Sequence, residues 1–359
     1  MKGRMNEMTK YVSYVGCYTF HGKSKGIAVF DVDAEKGRFI RREEVSVDNC
    51  SYLTASRDHR FLYAAVDEGI AAFRINADGS LEHLATTSIR GMRGCFLNIH
   101  PSNRFIAIGG YHDGKGTVLR LNEDGTVGEI TAEFYDKGIG SVAERNFRPH
   151  ISCTTFSPDG RFLFMIDSGI DQIKIFSFHE DTGHIRLKDL LPCELNSGPH
   201  RMLFSHSGTY LYVVHELKNY VSVHHYTIGS SGLPVIEELQ RVATLPKDYD
   251  VPSAACALSF SPDGHHLFAS NAGENTIAIY DVEESTGLLT LRNILPISGD
   301  YPKDIDVIPG TDYIVSTNRE SNSLTFFKAN YEAGTIIMNG MELPLDNPSC
   351  LTIVSLNES

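Results

Sequence analysis

The chain has 359 residues, of which 42% are apolar and 21% charged, and a formal net charge of −13. This is a globular balance with enough apolar material for a sizeable core. The excess negative charge argues against a nucleic-acid or anionic-membrane partner, because either would need a basic face. The opening MKGRMNEMTK lacks the apolar stretch of a signal peptide, no apolar run is long enough for a bilayer helix, and the seven cysteines are scattered without a CxxC pair. These features point to a cytoplasmic protein whose thiols are reduced and mostly buried.

Taken in chain order, the N-terminal part supplies three strands, at Tyr11, at Gly26 and over Arg38 to Val45. Six related segments follow, starting at Ser51, Phe96, Thr154, Met202, Ala257 and Asp304. Each reads as a strand, a polar turn and a second strand, with turns beginning near Ser56, His100, Ser157, Ser205, Ser261 and Ile308. Those turns lie 44 to 57 residues apart, the scale of one propeller blade. Ser157-Pro158-Asp159-Gly160 recurs as Ser261-Pro262-Asp263-Gly264, in which Pro sets φ, Asp caps the turn and Gly takes the left-handed position. Third strands start at Ile173, Val221, Ile277 and Leu324, and fourth strands follow the turns at Glu180 and Glu284. Four strands per unit is propeller arithmetic.

The C-terminal NPSCLTIV from Asn347 imitates the NCSYLTAS from Asn49, so it predicts the innermost strand of a blade completed by the N-terminal strands. Closure with strands from both termini removes free sheet edges. The expectation is an all-β, seven-bladed propeller of four-stranded antiparallel blades in one domain, 10–355, with inter-blade insertions near 136–149 and 240–253. Such a unit is self-sufficient and is read as a monomer.

In this fold the innermost strands line a central channel. The hairpin register places Ser51, Cys95, Ser152, His200, Cys256, Lys303 and Ser349 at one equivalent position, while the second strands end at Asp67, Tyr111, Ser168, Glu216, Ala272 and Arg319. A pocket there would set His200 or Arg201, with Lys303 and Arg319, beside Glu216 and Asp67, a mixture suited to a small polyhydroxylated anion. Plainer readings stand beside this one: Glu216 as a solvated strand end, Arg201 as a cross-blade structural pair, His150 as a hydrogen-bonded structural histidine, and Lys303, Arg319 and Tyr111 as rim residues. There is no GxSxG elbow. His215-Glu216-Leu217-Lys218-Asn219 follows a strand and is no zincin helix. Gly138 to Ala143 matches a dinucleotide-binding string but has no βαβ context. No cluster has metal-ligand spacing, and no cofactor is expected.

The segments SPDGRFLF, GPHRMLF…YLYVVHELKNYVSVHHY and SPDGHHLFASNAGENTIAIYDV resemble the 6-phosphogluconolactonase-type propellers, which include the fungal carboxymuconate lactonising enzymes. The likeness runs from about Tyr11 to Val354. It implies a role for Glu216, which stands in His215-Glu216-Leu217 where the family has Asn-Glu-Leu. Gly198-Pro199-His200-Arg201 stands where the family has Gly-Pro-Arg-His, a swap expected to exchange two faces of a strand. Ser152 aligns with a family histidine, with His150 two residues earlier, and Ala272 stands where an arginine is expected, with Arg319 at the equivalent place in the next blade. The resulting expectation is hydrolysis of a sugar or sugar-acid lactone. Glu216 or His200 would act as general base and Arg201 would stabilise the oxyanion. His150, Ser152, Tyr111, Lys303, Arg319 and Asp67 would bind the substrate. A lactonising isomerase of an unsaturated dicarboxylate and a non-catalytic binding propeller are the alternatives.

Overall fold

The computed structural model describes residues 9–141 and 146–356. These form seven antiparallel sheets and no helix. Blade 1 is composite: its innermost strand is the C-terminal Pro348–Leu356, paired antiparallel with Lys10–Cys17, then Gly26–Asp33 and Arg38–Ser46. The six repeats form blades 2 to 7 in chain order, beginning with the innermost strands Tyr52–Ala55, Phe96–Ile99, Ile151–Phe156, Pro199–Phe204, Ala254–Phe260 and Pro302–Val307. Blade 7 carries an additional short strand, Leu343–Pro344. The second expected insertion is shorter than the sequence suggested, because the outer strand of blade 5, Pro234–Ala243, continues through its first residues.

The turns form as their side chains dictate. Ser157 Oγ donates to Asp159 at 2.6 Å and accepts from Phe162 N at 3.0 Å, and Gly160 sits at φ +72°. A Cβ on Gly160 would fall 2.4 Å from His100 Nε2 of the preceding blade, so the glycine serves packing as well as the turn. Middle strands such as Phe61–Val66 and Phe162–Asp167 are buried along their whole length, because each blade packs between two others. One hydrophobic cluster fills each inter-blade interface; Val12, Tyr14 and Val29 meet Leu62, Ala64 and Phe73 between blades 1 and 2. Five of the seven cysteines are buried, two are half-buried and none is bridged by a disulfide.

The closure is tightly filled. A Cβ on Gly16 would lie 2.8 Å from both Cys50 Sγ and Cys350 Sγ and 3.0 Å from Ser349 Oγ. Gly16→Val is therefore expected to overpack the seam and cost about 1–3 kcal/mol. Urea unfolding monitored by far-UV circular dichroism checks this, and an unchanged midpoint would contradict it.

Candidate functional site

Each inner strand enters the channel through an irregularity at the same place. In blade 4 Ile151 faces Asp167 and Cys153 faces Ile166, leaving Ser152 as an extra residue. His200, Lys303 and Ser349 are extra in the same way in blades 5, 7 and 1, and Cys256 and Ala257 together oppose Ser270 in blade 6. Ser51 and Cys95 donate their N–H groups to Ala65 and Gly109, the residues that also face Tyr52 and Phe96. A β-bulge breaks the two-residue alternation of a strand and re-aims the side chain. As a result His200 and Arg201, although adjacent in sequence, both line the cavity, and the expected separation onto two faces does not occur.

The cavity is about 330 Å³, the size of a small-molecule site. All seven ring positions line it, together with Glu216, Arg201, Tyr111 and Arg319. Two proposed ligand contacts lie elsewhere. His150 is buried behind Tyr111, its ring stacked on the tyrosine at 4.2 Å and its Nδ1 donating to the Tyr111 carbonyl, because the bulge gives the mouth position to Ser152. Asp67 turns away from the cavity to accept from Arg93 at 2.6 Å and from Asn49 Nδ2 at 2.6 Å.

Tyr52 and Phe96, stacked at 4.3 Å, form the floor with Arg201, whose guanidinium carbon lies 5.4 Å from each ring centroid. Arg201 donates to Asp304 Oδ1 at 2.7 Å across the channel. Burial works against the Arg201 charge, yet Asp304, Tyr52 and Cys153 together outweigh it, and the pKa is raised. Asp304 also accepts from Leu351 N at 3.0 Å and so ties the closing strand to the floor.

His200 accounts for the polarity of one wall. Its Nδ1 lies 3.0 Å from the Cys256 carbonyl, which can only accept, so Nδ1 carries the proton and Nε2 keeps its lone pair. Burial holds the imidazole below the ordinary histidine range against the opposing pull of Glu216, and Lys303 and Arg201 push it the same way as burial. Glu216 is buried just after the strand Tyr210–His215, fixed by its N–H to the Gly198 carbonyl at 2.8 Å. Gly198 has φ +59°, and a Cβ there would meet Leu217 at 2.9 Å. The preceding loop is held by Asp171, whose carboxylate accepts from the backbone N–H groups of Asn196, Ser197 and Gly198. His215 is structural: its two ring nitrogens meet Ser197 and Ser222, and burial lowers it to about 3.

The opposite wall is cationic. The electrostatic influence of Tyr18 raises the pKa of Lys303, and no carboxylate pairs with that lysine among the described residues. Arg93 and Arg319 each lie 5.3 Å from the Tyr18 ring, which stacks with Phe20 at 5.2 Å. The sequence reading missed Tyr18, Phe20, Arg93 and Tyr301, all of which line the cavity. They sit on loops outside the repeat, so no periodic signal marks them. The small Ala272 leaves room for Tyr301, which packs against it and Cys256. Cys95 lines the cavity, but burial pushes its thiol up to about 12, so it offers no thiolate at neutral pH. Among the described residues no group of three or more His, Cys, Asp or Glu side chains could hold a metal.

Fold and cavity together define a small-molecule-binding propeller with a histidine–glutamate wall facing a cationic one. The chain belongs to the lactonase family of seven-bladed β-propellers, whose model matches residues 12–353. It is 28% identical over 350 residues to a 6-phosphogluconolactonase of Bacillus subtilis (strain 168), covering 96% of this chain and 98% of that protein. A solved candidate 6-phosphogluconolactonase of Bacteroides fragilis NCTC 9343 superposes with a TM-score of 0.87 at 27% identity, covering 99% of this chain and all of that one. The periplasmic gluconolactonase PpgL of Pseudomonas aeruginosa shares the fold, with a TM-score of 0.89 at 23% identity, covering 97% of this chain and all of that one.

Asp304→Ala is expected to destabilise the protein by about 3–5 kcal/mol, because it strands a buried guanidinium. It also frees Leu351 N. Denaturant unfolding measures the loss, and a cost under about 1 kcal/mol, the scale of an exposed ion pair, would mean that the pair does not hold the floor.

Proposed function

We propose that this protein hydrolyses the ring ester of a sugar or sugar-acid lactone. The observation that carries the reading is His200: a half-buried imidazole with a fixed tautomer and its Nε2 lone pair available, beside Glu216, in a cavity lined by arginine and lysine. A general base must be neutral at working pH, and the lowered proton affinity of His200 supplies that.

In the proposed reaction a water attacks the lactone carbonyl carbon as Nε2 of His200 takes its proton. Glu216 stabilises the imidazolium that forms, the sense in which it already acts on the resting ring. The carbonyl oxygen gains charge in the tetrahedral intermediate, where Arg201 and Lys303 offset it. The ring C–O bond then breaks, the departing alkoxide takes the proton back from His200, and a hydroxy acid leaves. Arg201 donates to Asp304 through one nitrogen only, leaving other N–H donors for the cavity side. Tyr111, Ser152 and Arg319 line the space left for the sugar hydroxyls. A cytoplasmic, monomeric enzyme is part of the same proposal.

The test is acid release from a panel of lactones, including glucono-, galactono- and 6-phosphogluconolactone, followed in a pH-stat. His200→Ala and Glu216→Gln are each expected to lower kcat by about 10²–10⁴-fold, with circular dichroism unchanged. For the wild type, kcat/KM should stay level from neutral pH down past the ordinary histidine value and fall only in more acid solution, since the base is lost when it binds a proton. No hydrolysis above the spontaneous rate, or full activity in both variants, would overturn the assignment.

A further inference from the structure

The cationic wall is braced from outside by residues the reaction above does not use. Asn49, in the left-handed conformation at φ 49°, accepts from Thr19 N at 2.9 Å and Thr19 Oγ1 at 3.2 Å through its Oδ1. Its Nδ2 donates to Asp67 Oδ2, and Asp67 Oδ1 accepts from Arg93. Four segments are joined in this way: the loop carrying Tyr18 and Phe20, the loop leading into blade 2, the hairpin turn of blade 2 that carries Asp67, and the loop leading into blade 3. An exposed ion pair alone stabilises little, and the Asp67 side chain is 42% exposed. What the chain of bonds does achieve is direction. It holds the Arg93 guanidinium 5.3–5.4 Å from the Tyr18 and Phe20 rings, at the cavity wall.

Arg93 spends one nitrogen on Asp67, and its other N–H donors have no hydrogen-bond partner among the described residues. Arg319 stands on the same tyrosine, its nearest carboxylate oxygen on Glu320 3.8 Å away. Arg93 and Arg319 therefore flank Tyr18 on the far side of the cavity from the blade 5 pair His200 and Glu216. A planar guanidinium already oriented by a carboxylate binds a second oxyanion with little further ordering.

We infer that Arg93 is a specificity-determining residue, positioned by Asp67 and Asn49, which selects lactones bearing an anionic group remote from the ring carbonyl over neutral ones. The inference rests on the lactonase reading for the word lactone, but the anion site stands on the geometry alone. Asp67, which the sequence placed in the ligand shell, is then a positioning residue that acts through Arg93.

Two measurements keep those parts separate. Isothermal titration with inorganic phosphate at low ionic strength is expected to show binding that Arg93→Gln weakens about ten-fold or more, the worth of one charge-assisted hydrogen bond. Arg93→Lys should weaken it less, and Asp67→Asn should weaken it although Arg93 is intact. In turnover, Arg93→Gln should raise KM for 6-phosphogluconolactone by a similar factor, and by much more than it changes KM for neutral glucono-1,5-lactone. A merely structural role for Arg93 would shift both substrates together. Absent phosphate binding in the wild type, or equal phosphate affinity in Arg93→Gln, would overturn the inference. If the wild type binds phosphate through Arg93 but hydrolyses no lactone, the anion site survives and the lactonase reading falls.

Discussion

The structure depends on one strand pairing, that of Pro348–Leu356 with Lys10–Cys17. Seven twisted sheets arranged around an axis expose edges and half-filled interfaces until the ring shuts, and only that pairing shuts it. Its reach extends beyond the seam. The closing strand contributes Ser349 to the cavity wall, and its Leu351 N–H goes to the same Asp304 that holds Arg201 on the floor. Ring closure, floor and cavity are thus one mechanical unit, so a change at the seam reaches the site without passing through a flexible segment.

The electrostatics run against the chain as a whole. A protein of net charge −13 lines its central cavity with Arg93, Arg201, Lys303 and Arg319. The local field concentrates an anion where the overall charge would repel it. The four cations are held in different ways, which suits different tasks. Arg201 is neutralised by a buried carboxylate and shapes the floor, whereas Lys303 keeps its proton without a paired carboxylate among the described residues. His200 sits in the same field and loses its proton easily for the same reason, with burial doing most of it. A neutral imidazole beside charged donors is the division of labour that the proposed ester hydrolysis would use.

The bulges connect this chemistry to the fold. A regular strand would send His200 to the channel and Arg201 into the blade interface, or the reverse. One extra residue at the strand entrance lets both reach the cavity, and the repetition of the device around the ring gives the wall its seven-fold set of side chains. At that one position the residue changes from blade to blade: serine in three blades, cysteine in two, histidine and lysine in one each.

Much of this was legible in the chain of residues. The Ser-Pro-Asp-Gly turns, the hairpin spacing and the likeness of NPSCLTIV to NCSYLTAS are local or periodic features, and they sufficed for seven blades closed by both termini. Aligning the hairpins also identified the ring positions, since equivalent residues of a repeat must face the same axis. Tertiary structure decided the rest. His150 went behind Tyr111 and Asp67 went to Arg93, because a side chain's direction at a loop or strand end depends on neighbours from other blades. Arg93, Tyr18 and Tyr301 could not be found beforehand, as they lie on loops that no repeat constrains. The tautomer of His200 and the pairing of Arg201 with Asp304 follow from contacts between residues 56 and 103 positions apart. Sequence determines periodic structure because periodicity is local; it leaves open which distant atoms meet, and those meetings set the protonation and the charge of the site.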